Sequence, residues 1–173
     1  MHIKLPARLS AVIAALAAPA LLGAMLAGPA SASTSFAIHI SPNNTFGLLL
    51  DVSGGSTQPG APVIDYWANG GANQAWTFYP VGGNNIYEIL NNNSGMCLTS
   101  DGIAGDQVNQ MPCEGSQLQL WRTYLTPSST SAYPIQNVYS GLYLDVSGNS
   151  PWPGAAIDTW PYNGGANQFF VAL

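Results

Sequence analysis

The stretch Asn69-Gly70-Gly71-Ala72-Asn73-Gln74 returns without change as Asn163-Gly164-Gly165-Ala166-Asn167-Gln168, and the fold is read outward from that return. Upstream, Leu50-Asp51-Val52-Ser53-Gly54 recurs as Leu144-Asp145-Val146-Ser147-Gly148. Between the two, Ile64-Asp65-Tyr66-Trp67 matches Ile157-Asp158-Thr159-Trp160. The offset is 93 or 94 residues, so a unit of about half that length predicts a middle copy. Asn91, Gly95 and Thr99 supply it, with the same four-residue steps as Asn43, Gly47 and Asp51 or Asn137, Gly141 and Asp145. Each unit closes on Gln-x-aromatic: Gln74-Ala75-Trp76, Gln119-Leu120-Trp121 and Gln168-Phe169-Phe170.

Each unit also holds four short apolar runs separated by turn-forming residues, which is the pattern of strands rather than helices. In the first unit they cover residues 36–40, 48–52, 63–67 and 75–79. Propeller blades have four strands too, but a ring of blades typically needs four or more of them. Three units can instead close a six-stranded barrel and cap it with three hairpins, a closure that removes exposed strand edges. The predicted fold is therefore an all-β trefoil with repeats at about 36–80, 81–127 and 133–173.

The first 32 residues read as an address. Lys4 and Arg8 precede a run rich in Ala and Leu that closes on Ala30-Ser31-Ala32, the small-residue pattern of a signal-peptidase site. Residues 9–27 are long enough for an uncleaved membrane anchor, but Pro19, Gly23 and the cleavage pattern favour removal. The expected product is a secreted, extracellular domain of residues 33–173. It carries Arg122 alone against eight acids, a formal net charge of −7. That excludes an electrostatic grip on nucleic acid, which needs Lys and Arg to displace counterions, and adhesion to an anionic membrane surface. Its polarity comes instead from 14 Asn and 8 Gln.

With the Gln-x-aromatic endings, the Leu-Asp-Val openings and the Asn-Gln pairs, the chain resembles the ricin-type B-chain lectin family, also found as carbohydrate-binding modules of bacterial glycosidases. The resemblance covers essentially all of residues 33–173, and it implies a β-trefoil that binds sugar. An even pair of cysteines in an exported chain usually forms a disulfide, and similar repeats in this family often bridge the slots held here by Cys97 and Cys113. The corresponding slots elsewhere are read as Leu49 with Asn69 and Tyr143 with Tyr162. A zinc site is the rival for these thiols, but tetrahedral zinc takes four ligands and only His39 remains to join them. No metal or cofactor is expected.

A pyranose presents an apolar C–H face and a rim of neighbouring hydroxyls, so a flat aromatic with a carboxylate and an amide makes a minimal receptor. The first unit offers Asp51, Trp67 and Asn73; the third offers Asp145, Trp160 and Asn167. These are also the positions at which the resembled lectins hold their sugar. Those lectins commonly place Gln two residues before the stacking aromatic, where this chain has Asp65 and Asp158. The extra carboxylates stand as candidate hydroxyl acceptors or as repelling neighbours, and they open pentose polymers beside galactose-type sugars as ligands. Gln74 and Gln168 are read as supporting residues that brace the Asp. The middle unit has Thr99, Met111 and Leu118 in the three slots and is expected not to bind. Paired carboxylates also cleave glycosides. Here, however, they occur twice in symmetric repeats, with no Ser-His-Asp set, and the expectation is a binder, not an enzyme. The alternative is a trefoil that binds a protein, as an inhibitor or in a structural role. Asn43 and Asn92 head N-glycosylation sequons.

Overall fold

The computed structural model describes residues 34–45 and 47–173; the expected signal peptide, residues 1–32, lies outside them. The described strands in chain order are β1 (Phe36–Pro42), β2 (Leu48–Val52), β3 (Val63–Trp67), β4 (Ala75–Pro80), β5 (Ile86–Asn91) and β6 (Cys97–Thr99). They continue as β7 (Asn109–Met111), β8 (Leu120–Arg122), β9 (Gln136–Asn137), β10 (Tyr143–Val146), β11 (Ile157–Trp160) and β12 (Phe170–Ala172). Among the described residues there is no α-helix.

Six strands form the barrel, antiparallel in the order β12, β1, β4, β5, β8, β9. The ring closes where Tyr133, just ahead of β9, exchanges backbone hydrogen bonds of 2.9 and 3.0 Å with Phe170. The other six pair as the hairpins β2–β3, β6–β7 and β10–β11. This is the expected β-trefoil. The aromatics of the Gln-x-aromatic endings fill the core: Trp76, Trp121 and Phe170 are fully buried. The indoles of Trp76 and Trp121 donate to the carbonyls of Leu50 and Leu98 at 3.0 and 2.9 Å, so the one polar atom of each ring is satisfied.

The turns that enter the hairpins match as expected, with Gly47, Gly95 and Gly141 at φ of +74°, +70° and +71°. That left-handed conformation costs glycine nothing and disfavours other residues. Asn43, however, is not the partner of Asn91 and Asn137. Register places Trp76 opposite Asn91, Trp121 opposite Asn137, and Phe170 opposite Pro42. The first turn is thus one residue longer. Buried Asn91 and Asn137 donate to the carbonyls of Asn73 and Leu118 at 2.8 and 2.9 Å, a bond that Pro42 has no side-chain amide to make.

Cys97 and Cys113 form a disulfide with 5.1 Å between Cα atoms, across 16 residues. Cys113 follows by two the residue paired with Cys97, namely Met111. The same count gives Leu49 with Ala68, rather than Asn69, and Tyr143 with Tyr162, whose rings lie 5.1 Å apart.

The repeats hold one another in a cycle. Gly60 donates its N–H to the carbonyl of Gln110 at 2.8 Å, Gly105 to that of Thr159 at 2.8 Å, and Gly154 to that of Asp65 at 2.7 Å. All three acceptors are fully buried, and their side chains add to the clasp. Gln110 donates to the carbonyls of Ser56 and Gln58, Thr159 to that of Ile103, and Asp65 accepts from the N–H of Ala155 at 2.9 Å.

Candidate functional site

Successive side chains of a strand point to opposite faces, and directly paired residues share a face. In the β2–β3 hairpin, Leu48 with Trp67, Leu50 with Asp65, and Val52 with Val63 share one face. Apart from the exposed Trp67, that face is packed into the core. The other face carries Asp51 opposite Ile64 and Leu49 opposite Tyr66. It opens on a cleft of about 510 Å³ lined by Asp51, Ile64, Tyr66, Asn69 and Asn73. In β10–β11 the corresponding face carries Asp145 opposite Asp158 and Tyr143 opposite Trp160. Its cleft, about 700 Å³, is lined by Asp145, Asp158, Trp160, Asn163 and Asn167, with Gly105 of the middle repeat as one wall. A Cβ on Gly105 would meet the Trp160 ring at 3.0 Å, so the missing side chain is what lets that loop lie against the indole.

The third repeat therefore brings Asp145, Asp158, Trp160 and Asn167 together as the sequence reading expects. The first brings together only Asp51 and Asn73. Asp65 is fully buried on the core face, where it clasps the third repeat, and Trp67 lies on that same face beside the Gly47 turn. The aromatic that looks into the first cleft is Tyr66, 45% exposed, much as Trp160 is at 46%. The physical reason is register. The structure keeps an offset of 94 through the strand, setting Ile64 with Asp158, Asp65 with Thr159 and Tyr66 with Trp160. Matching the strands by their letters slips one residue, and a one-residue slip exchanges the faces of a strand.

The carboxylates are held by amides from the closing loop of each repeat. Gln74 donates to Asp51 at 2.7 Å and to the Trp67 carbonyl at 2.8 Å, while its own oxygen accepts from Asn69 N–H at 2.9 Å. Gln168 repeats the last two bonds with Pro161 and Asn163 at 3.0 and 2.8 Å. Asn167 donates to Asp145 at 2.7 Å. Gln119 makes the same set in the middle repeat, to Pro112, Thr99 and Glu114. The glutamines thus brace all three loops, whether or not an Asp is present. The repeated Asn-Gly-Gly has its own cause. Asn69 and Asn163 accept from the N–H two residues on, and any Cβ at Gly71 or Gly165 would collide with the amides of Asn73 and Asn167.

Burial sets the electrostatics. Desolvation raises Asp51, opposed by bonds from Gln74 and Asn73. It pushes Asp145 up to about 6, helped by the charge of Asp158 and opposed by Gln168 and Asn167. Asp158 is raised by the same cause and eased by Ser147. In the middle repeat Thr99, Met111 and Leu118 leave a hollow of only about 120 Å³ with no carboxylate from the strands.

Two symmetric clefts, each with a braced carboxylate, an amide and a half-exposed aromatic, define the class: a lectin-type β-trefoil. The family comparison agrees, matching the ricin-type β-trefoil lectin domain-like model over residues 72–160 and 117–172. The chain belongs to that family. Among solved structures it is similar to a designed three-fold symmetric protein, ThreeFoil, at 30% identity and a TM-score of 0.71, over 79% of this chain and 97% of that one. It is also similar to an exo-β-1,3-galactanase from Clostridium thermocellum at 28% identity and a TM-score of 0.72. That match covers 79% of this chain but only 30% of the galactanase. The C-half of an earthworm R-type lectin, solved with GalNAc, shares the fold at 21% identity and a TM-score of 0.61, over 79% and 96% of the two chains. No curated relative matches the chain in sequence.

Proposed function

We propose that the protein is a secreted lectin that binds glycans through two clefts, one in the first repeat and one in the third, and that it has no catalytic activity of its own. The observation that carries this reading is the paired geometry: Asp51, Asn73 and Tyr66 in one cleft, Asp145, Asn167 and Trp160 in the other. A charge-assisted hydrogen bond contributes about 1.5–3 kcal/mol and covering the sugar's apolar face about 2 kcal/mol. After association costs, a dissociation constant on the order of 1 mM per cleft is the expectation. Galactose-type sugars and pentose polymers such as xylan or arabinan are the candidate ligands. The earthworm lectin half, solved with GalNAc, supports the first, and so does the galactanase, of which the matched fold forms a part.

The test is calorimetry on residues 33–173 with a panel of monosaccharides and polysaccharides. Two equivalents of monosaccharide should bind per chain. Asp51→Ala should leave one, and the double variant with Asp145→Ala none, because the two carboxylates share no partner. A double variant that still binds with two equivalents would place the sites elsewhere. Three equivalents in the wild type would restore the middle repeat.

A further inference from the structure

The two clefts differ at one position that faces the ligand. Opposite Asp51 stands the apolar side chain of Ile64; opposite Asp145 stands a second carboxylate, Asp158. Asp145 and Asp158 are 4% and 5% exposed, and each has one enclosed oxygen, Oδ2 of Asp145 and Oδ1 of Asp158, with no hydrogen-bond partner. Like charges directly opposite on paired strands repel. A buried carboxylate oxygen without a donor is costly. Among the described residues no cation stands beside the pair to offset this. No basic residue lines the cleft. The only arginine among the described residues, Arg122, donates to Gln136 on the barrel, and His39 is bonded to the Gln74 carbonyl. The amide of Asn167 is committed to the other oxygen of Asp145, and Ser147 bonds Asp158. A cationic ligand would offset this repulsion.

We propose that the third-repeat cleft prefers a sugar bearing a free, protonated amino group over its neutral counterpart, and that Asp158 sets this preference. An ammonium brings three N–H donors and a full positive charge to a site with two carboxylates, and the face of Trp160 adds a cation–π contact. The ligand class is an amino sugar with an unacetylated nitrogen, as in a deacetylated polysaccharide. The first cleft, with Ile64 in this position, has one carboxylate and no such preference. The proposal rests on the reading of these clefts as sugar sites.

Calorimetry near pH 7 with the methyl glycosides of galactosamine and glucosamine, each with its N-acetylated form, separates charge from ring shape. The first cleft is silenced with Asp51→Ala. In that background at least one free amine should bind roughly tenfold or more tightly than its acetylated form, and added salt should weaken it. Asp158→Ile and the near-isosteric Asp158→Asn should both erase the difference between amine and amide. In an Asp145→Ala background the remaining first cleft should show no difference. Equal affinity for amine and amide, or a preference that survives in Asp158→Asn, would overturn the proposal while leaving the lectin reading intact. Failure of every sugar to bind would remove both.

Discussion

Exchanging the roles of two adjacent aromatics gives the sharpest test of the first cleft. Tyr66 and Trp67 are neighbours in sequence, and both are exposed, at 45% and 55%, yet they stand on opposite faces of β3. Only Tyr66 shares its face with Asp51. A pyranose laid on the Tyr66 ring removes on the order of 80 Å² of apolar surface from water, which at about 25 cal/mol per Å² is about 2 kcal/mol. Tyr66→Ala should therefore weaken the first cleft roughly thirtyfold, beyond easy detection for a millimolar site. Trp67→Ala removes no surface from the cleft and should change affinity less than about twofold. The assay is calorimetric titration in an Asp145→Ala background, so that the third cleft is silent, with circular dichroism to confirm that each variant keeps its β structure. If Trp67→Ala abolishes binding while Tyr66→Ala binds normally, the face assignment is wrong and the strand is out of register by one.

Two further outcomes concern stability. Burial pushes Asp65 up to about 6, against a carboxyl's ordinary 3.8, with bonds from Ala155 and Gly154 opposing the shift. Its folded-state pKa thus lies above the unfolded one, so the folded chain holds more protons between about pH 4 and 6. Stability from this group is greatest below that window and is lost as pH rises through it, by up to about 3 kcal/mol. Thermal unfolding should show a higher midpoint at pH 5 than at pH 7; Asp65→Asn should reduce that dependence, leaving the share of Asp145, without changing sugar stoichiometry, and an unchanged slope would count against it. Replacing both Cys97 and Cys113 with Ser frees a loop of 16 residues, worth about 3 kcal/mol on the chain-entropy account. Urea titration that finds no loss of stability would assign the bridge a different role.

The architecture was legible because closure repeats the same demands three times. A Gln-x-aromatic ending must bury an aromatic and brace a loop in every unit, so Gln74, Gln119 and Gln168 keep their spacing even where the strand residues around them have diverged. The third cleft could be read off directly, since every residue chosen for it stands on the cleft face. The first could not be read from residue identity alone. The letters Ile-Asp-x-Trp occur in both strands, but one copy is shifted, and a strand has a period of two. The signal that would have exposed the slip was present. The Leu-Asp-Val-Ser-Gly and Asn-Gly-Gly-Ala-Asn-Gln landmarks on either side both recur at 94, which leaves no room for a strand at 93 without a compensating insertion and deletion. Asn43 misled for the opposite reason: the first turn does contain an extra residue, and only the pairing of Pro42 with Phe170 reveals it.

The same alternation explains why three similar repeats come to differ in what their clefts present. On the core face, positions 65, 110 and 159 are each tied to a neighbouring repeat, so each must keep a polar group that can hold that repeat's loop; Asp, Gln and Thr all meet that demand. The cleft-face positions 64, 109 and 158 meet the neighbouring repeat through backbone bridges, to Ala156, Pro62 and Gln107, which ask nothing of the side chain. Positions 64, 109 and 158 are therefore free to be Ile, Asn or Asp, and positions 66, 111 and 160 to be Tyr, Met or Trp, without loosening the ring. In the middle repeat Gln119 finds Thr99 in place of an aspartate, and Cys97–Cys113 ties the hairpin. Its loop still has a use, because Gly105 walls the Trp160 cleft next door. A repeat without the Asp, Trp and Asn set thus helps to shape its neighbour's cleft, and changes in the loop at Gly105 should alter the third cleft and leave the first unchanged.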